Sequence, residues 1–377
     1  VNSGTTVRHQ FSILEMVCDF SVHLVFDSKS EEFRVLAKCD LAGDAEGSMP
    51  AAVLQKLYQE QEWLATEQGA NATRKEAVEA GQALFTALMG AKVRSCFTKA
   101  TEGAWEKGDR LRFVLELSAD AREMPPWVHE VQWELMYDPD RDRFLALDPD
   151  VLLVRYLRQA RPLPAPAALA RLKILATSAC PKGEVQLDLD REMLRLDQMF
   201  RWPAMAGRVR HKLRRDISIS ALRGELVEAR RMEQPFHVWH HCGHGRFDAK
   251  SGEYQLALAA GATGAGELTR LIHECAELRL VVLNVCLGAR PSGLATLLAG
   301  LGIPAVVGYS VPVEDRVALG FSREFWRAFA TVPADEAMQR ARQMLAGSHQ
   351  QLAFAHAILY LRSLEPVRLT AENQITE

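Results

Sequence analysis

Between residues 172 and 330 short apolar runs alternate with stretches of helical periodicity, and this alternation confines the chain to a small set of folds. The runs at 172–178 ("LKILATS"), near Val209, at 236–241, 279–285 and 304–308 read as strands. Between them, 187–200, 217–231, 266–276, 293–301 and 315–330 carry apolar residues at helical spacing, and a hairpin-like pair surrounds 254–258. Strand, helix and strand in succession pack as right-handed crossover units. The expectation is therefore a mostly parallel α/β sheet flanked by helices. Ligands of such sheets bind beyond the carboxyl ends of the strands, so that is where chemistry should be sought.

The first half is less regular. Alternation over 12–40 predicts an antiparallel hairpin turning at Ser28–Ser30. Helical spacing over 50–89 puts Val78, Leu84, Phe85 and Leu88 on one face, with Gly90 as a stop, and "RLRFVLELS" (110–118) reads as a buried strand. Prolines, a turn around Trp133 and Glu134, a second turn at "DPDRD" (138–142) and two short strands follow. The Pro- and Ala-rich segment 158–170 marks a domain boundary, dividing the chain into 1–160 and 161–377. A chain of 377 residues exceeds the usual size of one core, which agrees with that division.

Composition removes several classes of function. A net charge of −3 supplies no drive for non-specific nucleic-acid binding, and the basic run 208–215 ("RVRHKLRR") reads as a solvated face with acids beside it. Seven cysteines at irregular spacing make no disulfide framework, so a reducing cytoplasm is expected. The most apolar region, 278–311, is interrupted by Asn284, Arg290, Pro291 and Pro304, which leaves no membrane span. The segment after the first strand of the second half, "ATSACPKGE", holds one glycine and neither a dinucleotide nor a phosphate loop. Because the chain starts at Val1, it reads as a piece of a longer protein.

The segment "HVWHHCGHGRF" (237–247) holds four histidines and a cysteine. On a strand, His237 and His241 share a face but lie about 13 Å apart, while His240 points to the opposite face. These side chains do not converge on one ion, and no second ligand pair stands at zinc spacing, so no metal and no other cofactor is expected. Asp and Glu in "DPDRD"-type loops leave weak calcium binding open. His237, His240 and His241 read as packed scaffold. His244 differs, because it follows the strand between Gly243 and Gly245, which let the backbone turn and approach a ligand. A second apolar strand, "LRLVVLN", ends just before Cys286, which Gly288 follows. Two strands thereby bring an imidazole and a thiol to one rim of the sheet, the pairing a cysteine nucleophile needs.

At this point the sequence resembles the CHAT peptidases, caspase-like and separase-like cysteine proteases of bacteria and their relatives. The matching segments are "QWELMYDPDRDRFLAL" (132–147), "HHCGHG" (240–245), "LVVLNVCLGA" (280–289), residues 293–326 and "AMQRARQML" (337–345), within roughly 75–350. The resemblance implies a caspase-like fold in which the N-terminal half is a degenerate, pseudo-protease counterpart of the catalytic half. It implies His244 as general base and Cys286 as nucleophile, with the N–H groups of Gly245 and Cys286 as oxyanion hole. Such a dyad needs no third carboxylate, and Asp248 reads as a solvated loop residue. Asn284 and Asp315 are implied to line the pocket for the substrate side chain. Asn284 stands where basic-specific relatives carry an acid, and Asp315 reads either as a pocket carboxylate or as a helix cap. The segments "LGARPSG" (287–293) and "YSVPVED" (309–315) depart from the family pattern and leave substrate preference open. The implied activity is an endopeptidase that cleaves a protein partner through a thioester acyl-enzyme, controlled by a sensor domain or regulatory subunit, in bacterial defence or regulated proteolysis. The other reading is a catalytically silent interaction module on the same fold.

Overall fold

The computed structural model describes residues 16–61, 73–159, 163, 171–248, 250, 253–274, 277–286, 288, 294–348, 352–365 and 367–369. It opens with β1 (Val17–Asp27), β2 (Glu32–Cys39) and β3 (Gly43–Pro50), an antiparallel meander. Alternate residues Phe20, Val22, Leu24, Phe33, Val35 and Ala37 are buried, as the period of two demands. The expected hairpin thus gains a third strand. "GDAEGSMP" has no apolar alternation to announce it, and main-chain pairing with β2 holds it at the sheet edge.

Next come α1 (Ala51–Gln61) and α2 (Arg74–Lys107), the latter started by a Thr73–Glu76 capping box. Gly90 breaks α2 with φ 47 and ψ 174, but the helix resumes beyond it, so the expected stop is a kink. Strand β4 (Arg110–Ser118) leads through single turns to the two-residue strands β5 (Tyr137–Asp138) and β6 (Arg143–Phe144), and then to β7 (Val151–Arg158). In the "DPDRD" turn, Asp140 pairs with Arg94, Tyr137 donates to Asp142, and Arg141 bridges Asp148 and Asp150. Asp138 accepts from the Asp140 N–H, so each acid of the turn has a protein partner. Most of the Pro- and Ala-rich segment expected as a boundary lies outside the described residues.

The second half follows the predicted alternation. It runs β8 (Leu172–Ala179), α3 (Leu189–Phe200), β9 (Val209–Arg214), α4 (Ile219–Arg231), β10 (Val238–Gly243), β11 (Gly245–Asp248), β12 (Glu253–Leu258) and β13 (Gly261–Gly264). It continues with α5 (Ala265–His273), β14 (Leu280–Val285), α6 (Leu294–Gly300), β15 (Ala305–Tyr309), α7 (Asp315–Phe329), α8 (Ala334–Ala346) and β16 (Ala357–Leu361). The basic run reads as expected: His211 meets Asp197, Lys212 and Arg214 meet Glu225, and Arg215 meets Asp190.

One sheet of 11 strands takes the order β3-β2-β1-β4-β7-β16-β15-β14-β10-β8-β9. β1, β4, β7 and β16 are mutually parallel, as are β15, β14, β10, β8 and β9. The blocks meet at the antiparallel pair β15/β16. The last described strand therefore completes the block that the first half builds, and the sheet holds strands from both sides of the expected domain boundary. Hydrophobic cores on its two faces are capped by helices, with Trp326, Phe325 and Phe200 on one side and Trp239, Leu268 and Leu298 on the other. Among the described residues no helix is long and apolar enough to cross a membrane.

The segment "WEL" forms a buried 3-10 turn whose Glu134 is completely inaccessible. Arg155 of β7 donates to both of its oxygens, and Arg342 of α8 donates to Oε1 at 3.3 Å. The remaining guanidinium N–H groups reach the carbonyls of His129, Val131, Leu153 and Ala357. One carboxylate thus ties a turn, a strand and a helix together.

Several histidines are held neutral by burial. His23, His129, His237 and His356 are lowered to about 4 and His241 to about 3, against an ordinary 6.5. Depressed histidines bind protons first in the unfolded chain, so their cost is absent above pH 6.5 and grows as pH falls toward 4. Stability measured by urea titration is expected to be flat from pH 7 to 8 and to drop steeply between 6.5 and 4. A midpoint unchanged from pH 7 down to 5 would show that these groups do not govern acid unfolding.

Candidate active site

Strands β10 and β14 are parallel neighbours, and their last paired positions are Gly243 and Val285. His244 and Cys286 are the next residues on each strand. They leave adjacent strands, about 4.8 Å apart, at the same level of the same carboxyl edge. Both are half-buried. Gly243 and Gly245 are glycines for steric reasons. A Cβ at 243 would lie 2.6 Å from the Ala179 carbonyl oxygen, and one at 245 would lie 1.7 Å from the Tyr254 hydroxyl and 2.5 Å from the Cys286 carbonyl oxygen.

The imidazole Nε2 of His244 is 2.7 Å from the carbonyl oxygen of Val185 in the loop before α3. A carbonyl only accepts, so Nε2 carries the proton and Nδ1 keeps the lone pair. That is the tautomer of a base whose orientation is held from behind. Asp248 instead accepts from Lys250 and Gln255, consistent with a surface residue. Burial pushes the Cys286 thiol up from its ordinary value, while the N–H groups of Val313 and of Cys286 itself, directed at the sulfur, pull it back. Among the described residues no hydrogen bond joins this sulfur to His244.

Near the thiol the fold assembles a cluster of polar side chains. Asn284, two residues before Cys286, donates its amide to Glu192 of α3, and Ser322 of α7 donates to the same oxygen at 3.4 Å. Glu192 is 3% exposed. Asn284 keeps a buried Oδ1 with no partner, and the buried Tyr309 hydroxyl has none either. Burial pushes the Tyr309 phenol well up, with the charge of Glu192 adding to it. Asp315 is the first residue of α7, and its Oδ2 accepts from the Asp188 N–H at 3.3 Å rather than from its own helix. The capping alternative therefore does not describe it. Burial raises the Asp315 carboxyl and Glu192 adds to the rise, although the Asp188 N–H opposes it. Among the described residues neither carboxylate is ion-paired with Lys or Arg; the imidazole of His240 lies 3.9 Å from Glu192.

Glu192, His240 and Cys242 bring ligand-type atoms within 4.8 Å of one another. The hydrogen bonds argue against an ion there. The indole N–H of Trp326 donates to His240 Nδ1 at 3.2 Å, which leaves the proton on Nε2, facing Cys242 Sγ at 3.1 Å. A metal would need the Nε2 lone pair, and an indole cannot take a proton in exchange. Burial, reinforced by Glu192, holds the Cys242 thiol well above its ordinary value. His241 lies on the other face, bonded through Nδ1 to Thr177, and His237 accepts the Lys173 N–H just before β10.

Three participants escape the sequence. Val185 acts through its carbonyl, which no side chain announces. Glu192 did leave a trace: it lies on the face of α3 that buries Leu189, Met193 and Leu196, where an acid is out of place. Tyr254 looks like an ordinary inward residue of β12.

A family model for the CHAT domain matches residues 78–360, well over half of the chain. No curated protein matches it. Two structures of the Saccharomyces cerevisiae separase–securin complex are similar at 12% identity, with TM-scores of 0.51 and 0.53, each over 91% of this chain and 30% of the other. The Drosophila initiator caspase Dronc is similar at 7% identity and a TM-score of 0.33, over 47% of this chain and 73% of that one. At such identities the separase likeness speaks for the fold, a mixed α/β sheet flanked by helices. This chain spans about 30% of the separase-complex chain it matches.

Proposed function

This chain belongs to the CHAT domain family, and on that premise we propose that it is a cysteine endopeptidase using His244 as base and Cys286 as nucleophile. The observation that carries the proposal is the departure of both residues from paired ends of adjacent parallel strands, with the imidazole proton held on Nε2 by Val185. Nδ1 takes the thiol proton, the sulfur attacks the scissile carbonyl, and the N–H groups of Gly245 and Cys286 receive the oxyanion. Collapse expels the amine, which takes the proton from the imidazolium, and leaves a thioester. Water, deprotonated by the same Nδ1, then hydrolyses the thioester and restores the thiol. Residues 1–160 serve as the pseudo-protease scaffold, and a sensor or regulatory protein controls access.

The pocket supports a substrate class. A buried carboxylate such as Glu192 without a cationic partner is costly, and a substrate guanidinium or ammonium entering beside Asn284 would supply positive charge to it and to the half-buried Asp315. Cleavage is therefore expected after Arg or Lys. Peptides varied at the residue before the scissile bond test this, compared between wild type and Asp315→Ala. The variant should lose Arg-substrate turnover by about two orders of magnitude and keep turnover of a neutral substrate. A wild type that prefers Leu or Met removes the charged-pocket assignment.

One observation favours a silent interaction module instead: the thiol is pushed up and makes no hydrogen bond with His244 among the described residues. Cleavage lost in Cys286→Ala separates the two readings.

A further inference from the structure

His244 follows β10, Gly245 opens β11 and Cys286 follows β14, yet all three are attached to one short strand that takes no part in the chemistry. The N–H of Ala257 donates to the His244 carbonyl at 2.9 Å, Leu256 is the register partner of Gly245, and the Tyr254 hydroxyl donates to the Cys286 carbonyl at 3.1 Å. All three belong to β12 or its immediate pairing. We infer that Tyr254 is a positioning residue, a strut that sets the distance between the nucleophile turn and the backbone that carries the base and the oxyanion hole. The inference rests on the reading of His244 and Cys286 as the reacting pair.

The need for a strut follows from the ladder. β14 is paired on its β15 side only from Leu280 to Val282, and on its β10 side as far as Val285. Cys286 lies beyond both ladders, in a turn. The bond from Tyr254 fixes its carbonyl, and hence the peptide plane that follows the nucleophile. The tyrosine has little freedom to do otherwise. It is 1% exposed, its ring packs in the core with Trp239, Leu256 and Leu283, and its hydroxyl rests against the bare Cα of Gly245. Any side chain at 245 would strike both the hydroxyl and the carbonyl it holds. The phenol thus stands between the Gly245 backbone and the carbonyl of Cys286.

The test compares Tyr254→Phe with the same site carrying p-aminophenylalanine, both assayed on an Arg-containing peptide below their melting temperatures, with Cys286→Ala alongside. Phe keeps the ring and removes the donor, whereas the amine restores a donor at the para position. A misplacement of the attacking atom by a fraction of an ångström is expected to lower kcat by 10- to 100-fold with KM within about twofold, and the amine to return kcat to within about fivefold of wild type. A purely structural role would lower the melting temperature and leave kcat in place. If Tyr254→Phe keeps wild-type kcat while Cys286→Ala is dead, the strut is wrong and the dyad stands; if Cys286→Ala cleaves normally, the dyad itself is wrong. Loss of kcat that the amine does not restore also overturns the strut.

Discussion

Cys286→Ala is expected to lower peptide cleavage by more than about 10³-fold while moving the melting temperature by only a few degrees. The reason for both halves is position. Cys286 stands one residue past the end of β14, half-buried in a turn, so trimming its sulfur empties no core cavity. The buried thiol of the adjacent strand does not replace it. Cys242, the cysteine in the neighbouring strand, is completely buried and faces His240 and Glu192, with its proton held tightly. His244→Ala should be about equally damaging, and the double variant no worse than either single one, because base and nucleophile act as a unit. Turnover within tenfold of wild type in Cys286→Ala would end the assignment.

The second large effect concerns stability. Glu134→Ala should cost about 3–5 kcal/mol, the range for removing one member of a buried ion cluster. Without the carboxylate, Arg155 and Arg342, each about 1% exposed, would face one another with carbonyls and, for Arg155, Tyr360 to receive them. Burial, with Arg155 alongside, already brings Arg342 down to about 10. Urea denaturation should show a lower midpoint at an unchanged slope. A loss under 1 kcal/mol would mean that the carbonyls alone suffice. Because Arg342 also binds the carbonyl of Ala357, where β16 begins, the damage should reach the centre of the sheet.

These expectations draw on what could and could not be read from the residues. The alternation after residue 172 was legible because the inner strands β8, β10, β14 and β15 are buried on both faces and the helices between them are amphipathic, so pattern and packing coincide. The approach of His244 to Cys286 was legible because glycines and strand ends mark both. β3 was not, since main-chain pairing needs no apolar residue, and α2 passed through Gly90 because a glycine can bend a helix without ending it. The pocket was half legible: Asn284 and Asp315 stand near the nucleophile and the following strand, whereas Glu192 arrives from a helix far upstream and joins them only through the fold. Backbone partners such as the Val185 carbonyl leave no signature at all.

The place of β16 has a consequence for how the molecule comes into being on the ribosome. The strand lies between β7 and β15, at the middle of the sheet, yet it is the last of the described strands in chain order. Until residues 357–361 leave the exit tunnel, the two parallel blocks have no strand to join them, and each presents an open edge to the cell. The sheet is thereby left incomplete in the nascent chain until nearly all of the described sequence has been made.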